Sequence, residues 1–374
     1  MSHDEAEAAG AVPASGVSMP EAFADEMRLL TTPPPDVSLE EAARILEDGY
    51  GLCGRLQLLA GERDRNFLLE TEAGWKGVLK VYSRVDAPEM RDFQHGALLH
   101  VARSGHSGLV PELVPTRDGE AELLFAGRDG DHWVILLSCL PGICPAATPH
   151  TPLLRRNLGR AIGELHVALA DYRHACEDRV LLWDHMQVLR MRHFAPDIAD
   201  AAHRVWLTAF LDRFEHVVRP QALALPRQVI HNDLSTSNVL VDAEATDRIT
   251  GIIDFGDIVR APRINELAVA ASYFLTGDGD LVSEMADLIE GYETVQPLLD
   301  AEVALLPDLI QARLATRILI YQWRAALFPD NRGYILRNSE GAWRMIDRMK
   351  QSPARAMRDA LLARRSNVGS PLWI

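Results

Sequence analysis

The apolar pattern of this chain changes period partway along, and that change limits the possible folds more than any other feature. From Gly54 to about Leu137 apolar residues fall in short alternating runs bounded by turn residues, the pattern of half-buried strands. Arg55–Leu59, Asn66–Glu70 and Gly77–Tyr82 read as antiparallel strands, separated by Ala60–Arg65 and by Glu72-Ala73-Gly74. A helix is expected over Pro88–Arg103, followed by strands over Ala121–Ala126 and His132–Ser138 around a turn at Gly127–Asp131. After Pro141-Gly142 the period lengthens to about 3.6 residues. Leu153–Ala170, Ala202–Val218, Asn265–Phe274, Leu281–Tyr292, Glu302–Leu327 and Ala342–Lys350 then read as helices. Strand character returns in one island, between Val229 and Phe255.

This layout predicts an α+β chain with a small N-lobe, an antiparallel sheet plus a helix over residues 37–138. A larger, mostly helical C-lobe follows over 139–374. Residues 1–36 read as a flexible tail, interrupted by a short helix over Glu21–Leu30 and closed by Pro33-Pro34-Pro35. Ser38-Leu-Glu-Glu41 is a capping box, so a helix starts there, and Gly49 is placed to end it.

Lys and Arg total 38 against 53 Asp and Glu, a net charge of −15. So acidic a chain argues against nucleic acid or an anionic membrane as partner, and suits a cationic small molecule. No apolar run is long enough to span a bilayer, and the acidic start Met-Ser-His-Asp-Glu lacks the basic region of a secretory signal. Cys53, Cys139, Cys144 and Cys176 show no metal-binding spacing. Most sit among apolar neighbours and read as buried hydrophobes, so a cytoplasmic setting is expected.

The strand island carries the chemistry. It reads His231-Asn-Asp233-Leu-Ser-Thr-Ser-Asn238-Val-Leu-Val, then after a turn-rich stretch Ile249-Thr-Gly-Ile-Ile-Asp254-Phe-Gly-Asp257. Val239–Val241 and Ile249–Ile253 form a hairpin that brings Asn238 and Asp254 out at one end, with Asp233 in the approach loop. Phosphoryl transfer needs a carboxylate to take a hydroxyl proton and oxygen ligands for Mg²⁺. Asp233 suits the base, and Asn238 and Asp254 suit the metal. The spacing matches the catalytic and metal loops of protein kinases, so a protein-kinase-like two-lobed fold is expected. Lys80, inside the apolar strand around Gly77-Val-Leu-Lys80-Val, is costly to bury unless it is paired and so suits the nucleotide phosphates. Where a glycine-rich loop would stand, Ala60–Arg65 has one glycine, and Asn66 is placed to donate to the nucleotide instead. Ser138 and Leu140, at the junction of the lobes, are further nucleotide candidates. Gln94, or Glu89 just before it, stands where a partner orienting Lys80 is expected.

Together these motifs resemble the aminoglycoside phosphotransferase and choline kinase superfamily. Its His-Gly-Asp-x4-Asn signature is similar to His231-Asn-Asp233-x4-Asn238, and its metal segment to Ile253–Asp257. Leu140-Pro141-Gly142 resembles the end of its inter-lobe hinge, and Leu158-Gly159 with Leu165-His166 its first C-lobe helix. Gly61–Phe67, Leu182-Trp183-Asp184, Gly251–Asp257, Glu266-Leu-Ala268 and Arg313–Asp347 look like the hydroxylysine kinase branch, which includes kinase domains fused to class III aminotransferases. The resemblance implies a Mg²⁺-dependent kinase that uses GTP or ATP to phosphorylate a hydroxyl on a small amine or amino acid. Asn232 stands where the signature has Gly.

The acceptor is expected on the helical lobe, near Trp183, Asp184, Asp257, Glu266, Arg313 and Tyr321. Acids would hold an ammonium, Arg313 a carboxylate, and Trp183 an aromatic wall. Each of these residues serves packing or surface pairing equally well. His166 reads as a core histidine, and Trp323 and Trp343 as core. Hydroxylysine is the first acceptor to consider, with choline, ethanolamine, homoserine or an aminoglycoside as alternatives. A nucleotide-binding pseudokinase with a regulatory role is a rival, motivated by the weakened loop. A metallohydrolase built on His231, Asp233 and Asp254 is another, but it leaves Lys80 unexplained.

Overall fold

The computed structural model describes residues 23, 28, 32–61, 63–276, 279–337 and 339–368. Nearly all of the expected tail, and of the helix expected over Glu21–Leu30, lies outside them. The chain divides into two compact units between Pro141 and Gly142.

The first unit opens with helix α1 (Leu39–Tyr50). Ser38 Oγ accepts the Glu41 N–H, and the Glu41 carboxylate accepts the Ser38 N–H, so the capping box forms as read. The helix runs past Gly49 and ends at Gly51, whose φ of 69° is left-handed backbone that a side chain would strain. Strands β1 (Arg55–Leu59), β2 (Arg65–Glu70), β3 (Lys76–Val81) and β6 (Gly130–Ser138) pair antiparallel in the order β1-β2-β3-β6. The free edge of β6 is shared by β4 (Leu113–Val114) and β5 (Leu123–Gly127). Strand β4 is too short to leave a periodic signal. Helix α2 (Pro88–Arg103) has the expected limits.

Alternation decides which residues face the core. Phe67 and Leu69 of β2, Leu79 and Val81 of β3, and Val134 and Leu136 of β6 are buried against Ala42, Ile45, Leu46 and Tyr50 of α1. The residues between them point to the other face. Asn66 and Lys80 are direct partners in the β2–β3 register, so their side chains emerge side by side there.

The second unit is mostly helical: α3 (Pro152–Ala168), α4 (Ala201–Arg213), α5 (Arg219–Leu223), α6 (Ile264–Phe274), α7 (Leu281–Glu293), α8 (Asp300–Leu327), α9 (Arg332–Arg337), α10 (Glu340–Met349) and α11 (Ala354–Val368). The helix expected over Ala202–Val218 widens into a π turn at Phe214–Val218. Pro220, in the first turn of α5, would crowd the carbonyl four residues back, and the wider turn relieves that. Helices α3 and α7 cross closely at Gly159 and Gly291, where a Cβ would collide with the Leu288 and Arg156 carbonyls. A 3₁₀ run over His185–Asp197 gave no helical period to read.

Strands β8 (Val239–Val241) and β9 (Ile249–Ile252) make the expected hairpin. Beside the hairpin in sequence, β7 (Arg227–Ile230) pairs with β10 (Val259–Pro262), burying Ile230, Val259 and Ala261 with Leu181. The cysteine expectation fails: Cys53 and Cys144 are exposed, and Cys139 and Cys176 half-buried. All four lie in connecting segments, which stay at the surface because their backbone groups need water. Trp323 is core, whereas Trp343 is only half-buried and stacks on His203. No helix among the described residues is long and apolar enough to cross a membrane.

Candidate active site

In the second unit the chain leaves β7 at Ile230 and enters a loop fixed from three sides. Glu266 of α6 is fully buried, and its carboxylate accepts the N–H groups of His231 at 2.5 Å and Asn232 at 2.9 Å. Glu266, one of the acceptor candidates, thus holds the loop backbone from within the core. Asn232 has φ 65°. This explains why the signature carries Gly at that position: among other residues Asn tolerates left-handed backbone best. His231 Nδ1 accepts the Asp233 N–H at 3.3 Å, so Nε2 is the nitrogen that donates to the Ile253 carbonyl at 3.0 Å. The ring of Phe255 meets His231 edge-on.

This scaffold presents Asp233. Asn238 Nδ2 donates to one carboxylate oxygen at 2.6 Å, and Arg313 Nη2 of α8 donates to the other at 3.0 Å. The Asp233 side chain keeps 27% of its surface exposed, enough for an acceptor hydroxyl to reach it. The surrounding packing still strips most of its water, which pushes its pKa up to about 6. Arg313 opposes that rise, while Asp257 and Asp254 add to it through like-charge repulsion.

Asp254 lies beside Asn238, because the Ile253 N–H donates to the Asn238 carbonyl at 2.9 Å. Its backbone is also left-handed, with φ 65°, and its side chain accepts the Gly256 N–H. The residue is exposed. With Nδ2 of Asn238 spent on Asp233, Oδ1 is the remaining polar atom of that amide. An amide oxygen beside an exposed carboxylate is a hard donor set of the kind that holds Mg²⁺ together with phosphate oxygens and water. Arg179 steadies the segment, donating to the Gly256 and Ile258 carbonyls. Asp257 is buried.

The acceptor candidates divide. Arg313, one of the acceptor candidates, is fully buried, paired with Asp233 and bonded to the Trp183 carbonyl, so much of its guanidinium is engaged by the protein itself. Its Cζ lies 5.4 Å from the centre of the Trp183 ring, and Trp183 meets Tyr321 edge to face. Both aromatics are half-buried, and Trp183 lies against the guanidinium that pairs with Asp233. Asp184, another acceptor candidate, is buried and caps the 3₁₀ run through the Met186 N–H. Burial raises its pKa. His185 is buried beside Arg313, and its pKa is pushed down to about 3 by burial and then by that cation, so it stays neutral. His166 is a core histidine, bonded to the Tyr292 hydroxyl.

In the first unit Lys80 is 15% exposed and pairs with Asp64 at 2.9 Å. Asp64 also accepts the Ser83 N–H, so it is itself held. Asp64 leaves no signal in the sequence, because nothing local says that the β1–β2 connection folds back onto β3. Gln94 is buried on α2 and Glu89 is exposed. Asp86 nearby has its pKa pushed up to about 6, by burial first and by Asp64 second. Ser138, at the end of β6, accepts the Glu112 N–H through its hydroxyl, and Leu140 is half-buried.

Residues 55–302 match the family model described as the phosphotransferase enzyme family. The hydroxylysine kinase of Xenopus laevis is 22% identical over 338 residues, covering 83% of this chain and 89% of that protein. The homoserine kinase of Rhodospirillum rubrum is 29% identical over 306 residues, covering 77% of this chain and 87% of that protein. Among solved structures, a microcompartment-associated aminopropanol kinase superposes with a TM-score of 0.65 at 21% identity. That match covers 85% of this chain and 99% of that one.

Proposed function

The chain belongs to the phosphotransferase enzyme family, and from that premise we propose that this small-molecule kinase phosphorylates the hydroxyl of a hydroxy amino acid, hydroxylysine first, with GTP or ATP as donor. The observation that carries the reading is the setting of Asp233. A half-accessible carboxylate, fixed between Asn238 and Arg313 with its pKa near 6, is ionised at neutral pH and still basic enough to take a hydroxyl proton.

In the proposed reaction the acceptor oxygen bonds to the γ-phosphorus while Asp233 takes its proton. The bond from that phosphorus to the β,γ-bridging oxygen breaks, and its electron pair leaves with the nucleoside diphosphate. Asn238 Oδ1 and Asp254 would hold Mg²⁺, which when bound neutralises phosphate charge. Lys80, kept in place by Asp64, is assigned to the nucleotide phosphates, with Asn66 beside it in register. Trp183 and Tyr321 offer the acceptor an apolar wall. The relatives named for hydroxylysine and homoserine support an acceptor that carries both a hydroxyl and an amino acid head group.

The test is nucleoside diphosphate release by the purified chain, with GTP and with ATP, against hydroxylysine, homoserine, choline, ethanolamine and an aminoglycoside. Turnover of the hydroxy amino acids is expected, and Asp233→Asn should cut it by about 100-fold or more while nucleotide still binds. Full turnover in that variant would rule out Asp233 as the base. Tight nucleotide binding with no turnover of any acceptor would favour the pseudokinase.

A further inference from the structure

Arg313 is fully buried and engaged with Asp233, and one turn further along α8 stands another arginine that is only half-buried. Arg317 lines a cavity of about 530 Å³ in the second unit, walled also by Tyr273, Thr276, Arg344, Asp347 and Arg348. That volume falls within the range of about 300–1,000 Å³ found for small-molecule sites.

Charge makes the cavity unusual. In a chain of net charge −15, its wall carries three guanidinium groups against one carboxylate. That carboxylate, Asp347, is already bracketed by Lys350 at 2.8 Å and His203 at 3.0 Å. Arg344 is largely exposed and reaches Glu340 only at 3.8 Å, and Arg348 donates to the Gln351 side chain and the Gly279 carbonyl. Arg317 differs from both. Its Nη1 donates to the Ser272 carbonyl, its Cζ sits 4.3 Å from the centre of the Tyr273 ring, and its Nε is buried without an acceptor. No carboxylate lies within ion-pair distance of it among the described residues. A half-buried guanidinium that meets only neutral groups costs free energy, and an incoming anion would recover it.

Position relates this cavity to Arg313, the partner of Asp233. Arg313 and Arg317 are four residues apart on one helix, so they share a face about one 5.4 Å turn apart. The Tyr273 ring is 6.0 Å from the first guanidinium and 4.3 Å from the second. The carboxylate and hydroxyl of homoserine or hydroxylysine are separated by four or five bonds, roughly 5–6 Å by standard bond lengths. We propose that the cavity seats the head group of the acceptor, with its carboxylate on Arg317, so that Arg317 selects hydroxy amino acids over simple amino alcohols. The assignment rests on the kinase reading above.

The experiment compares matched acceptors: hydroxylysine with 1,5-diaminopentan-2-ol, and homoserine with 3-aminopropan-1-ol. Each pair differs only by the carboxylate. The native enzyme should favour the carboxylate member by about 10- to 100-fold in kcat/KM, the weight of a hydrogen bond to a charged group. Arg317→Met should collapse that ratio, chiefly by raising KM for the amino acids, and Arg317→Lys should restore part of it. An Arg317→Met enzyme that is active but keeps the native ratio within each pair would overturn the assignment. So would a native enzyme that turns over both members alike, and in that case the kinase reading would stand. If no acceptor is turned over, the kinase reading falls. Calorimetric titration with the same four compounds then judges the cavity alone: binding that needs the carboxylate and Arg317 supports it, and any other pattern overturns it.

Discussion

Asp233 carries a charge that its surroundings resist, and this makes its protonation measurable. Burial and two nearby carboxylates, Asp257 and Asp254, lift its pKa to about 6, against Arg313 and, more weakly, His231. Below that value the carboxyl is protonated and cannot accept a proton, so kcat/KM should fall as pH drops through about 6. An ordinary aspartate would hold activity roughly two units lower. Removing the guanidinium takes away the main influence that keeps the pKa down. Arg313→Met should therefore move the acidic limb to higher pH, and Arg313→Lys should move it less. A pH series of kcat/KM for the three proteins checks this, and an acidic limb that stays put in Arg313→Met would show that Arg313 does not set the base. Emptying a buried ion pair also costs stability, about 3–5 kcal/mol, so the profiles must be read below the melting temperature of each variant.

At the scale of elements, what could be read from the sequence was what is local. Strands β1 to β3 and helix α2 emerged because their periodicity runs over several residues, and the β8–β9 hairpin because two apolar runs flank a polar turn. That hairpin alone places Asn238 beside Asp254, so this part of the candidate site's geometry was legible. The pairing of β7 with β10, the 3₁₀ run after Asp184 and the short α9 carry too few residues for a period to show. The long-range contacts were invisible for a different reason. Glu266 on the loop backbone, Arg313 on Asp233 and Asp64 on Lys80 join residues far apart or in a connection, and only the folded chain brings them together. Gly159 is a related case, since its spacing resembles a family motif while its physical reason lies on α7. Gly159→Ala should cost about 1–3 kcal/mol, because the added carbon meets backbone that cannot rotate away. Gly333, within α9, has open space around the same added carbon, and Gly333→Ala should be neutral or gain up to about 1 kcal/mol. Urea unfolding of both variants decides the matter: equal effects would mean that the close crossing of α3 and α7 is not what Gly159 serves.

For the whole molecule, the surplus of acid acts on the three kinds of reactant with different signs. A chain of net charge −15 repels a nucleotide and attracts a cationic acceptor at long range, whatever its local contacts do. Salt removes that long-range part first: between about 10 mM and about 100 mM the Debye length shrinks from about 30 Å to about 10 Å. Partly buried contacts such as Lys80 with Asp64 are screened much less. Over this range kcat/KM for the nucleotide should therefore rise, and kcat/KM for hydroxylysine, which is cationic at neutral pH, should fall. Homoserine, a zwitterion without net charge, should change least and so serves as the internal control. A general effect of salt on folding or chemistry would move all three together. Only opposite slopes for nucleotide and hydroxylysine, with homoserine between them, are consistent with an acidic surface that steers its cationic substrate while a few buried cations bind the anionic groups.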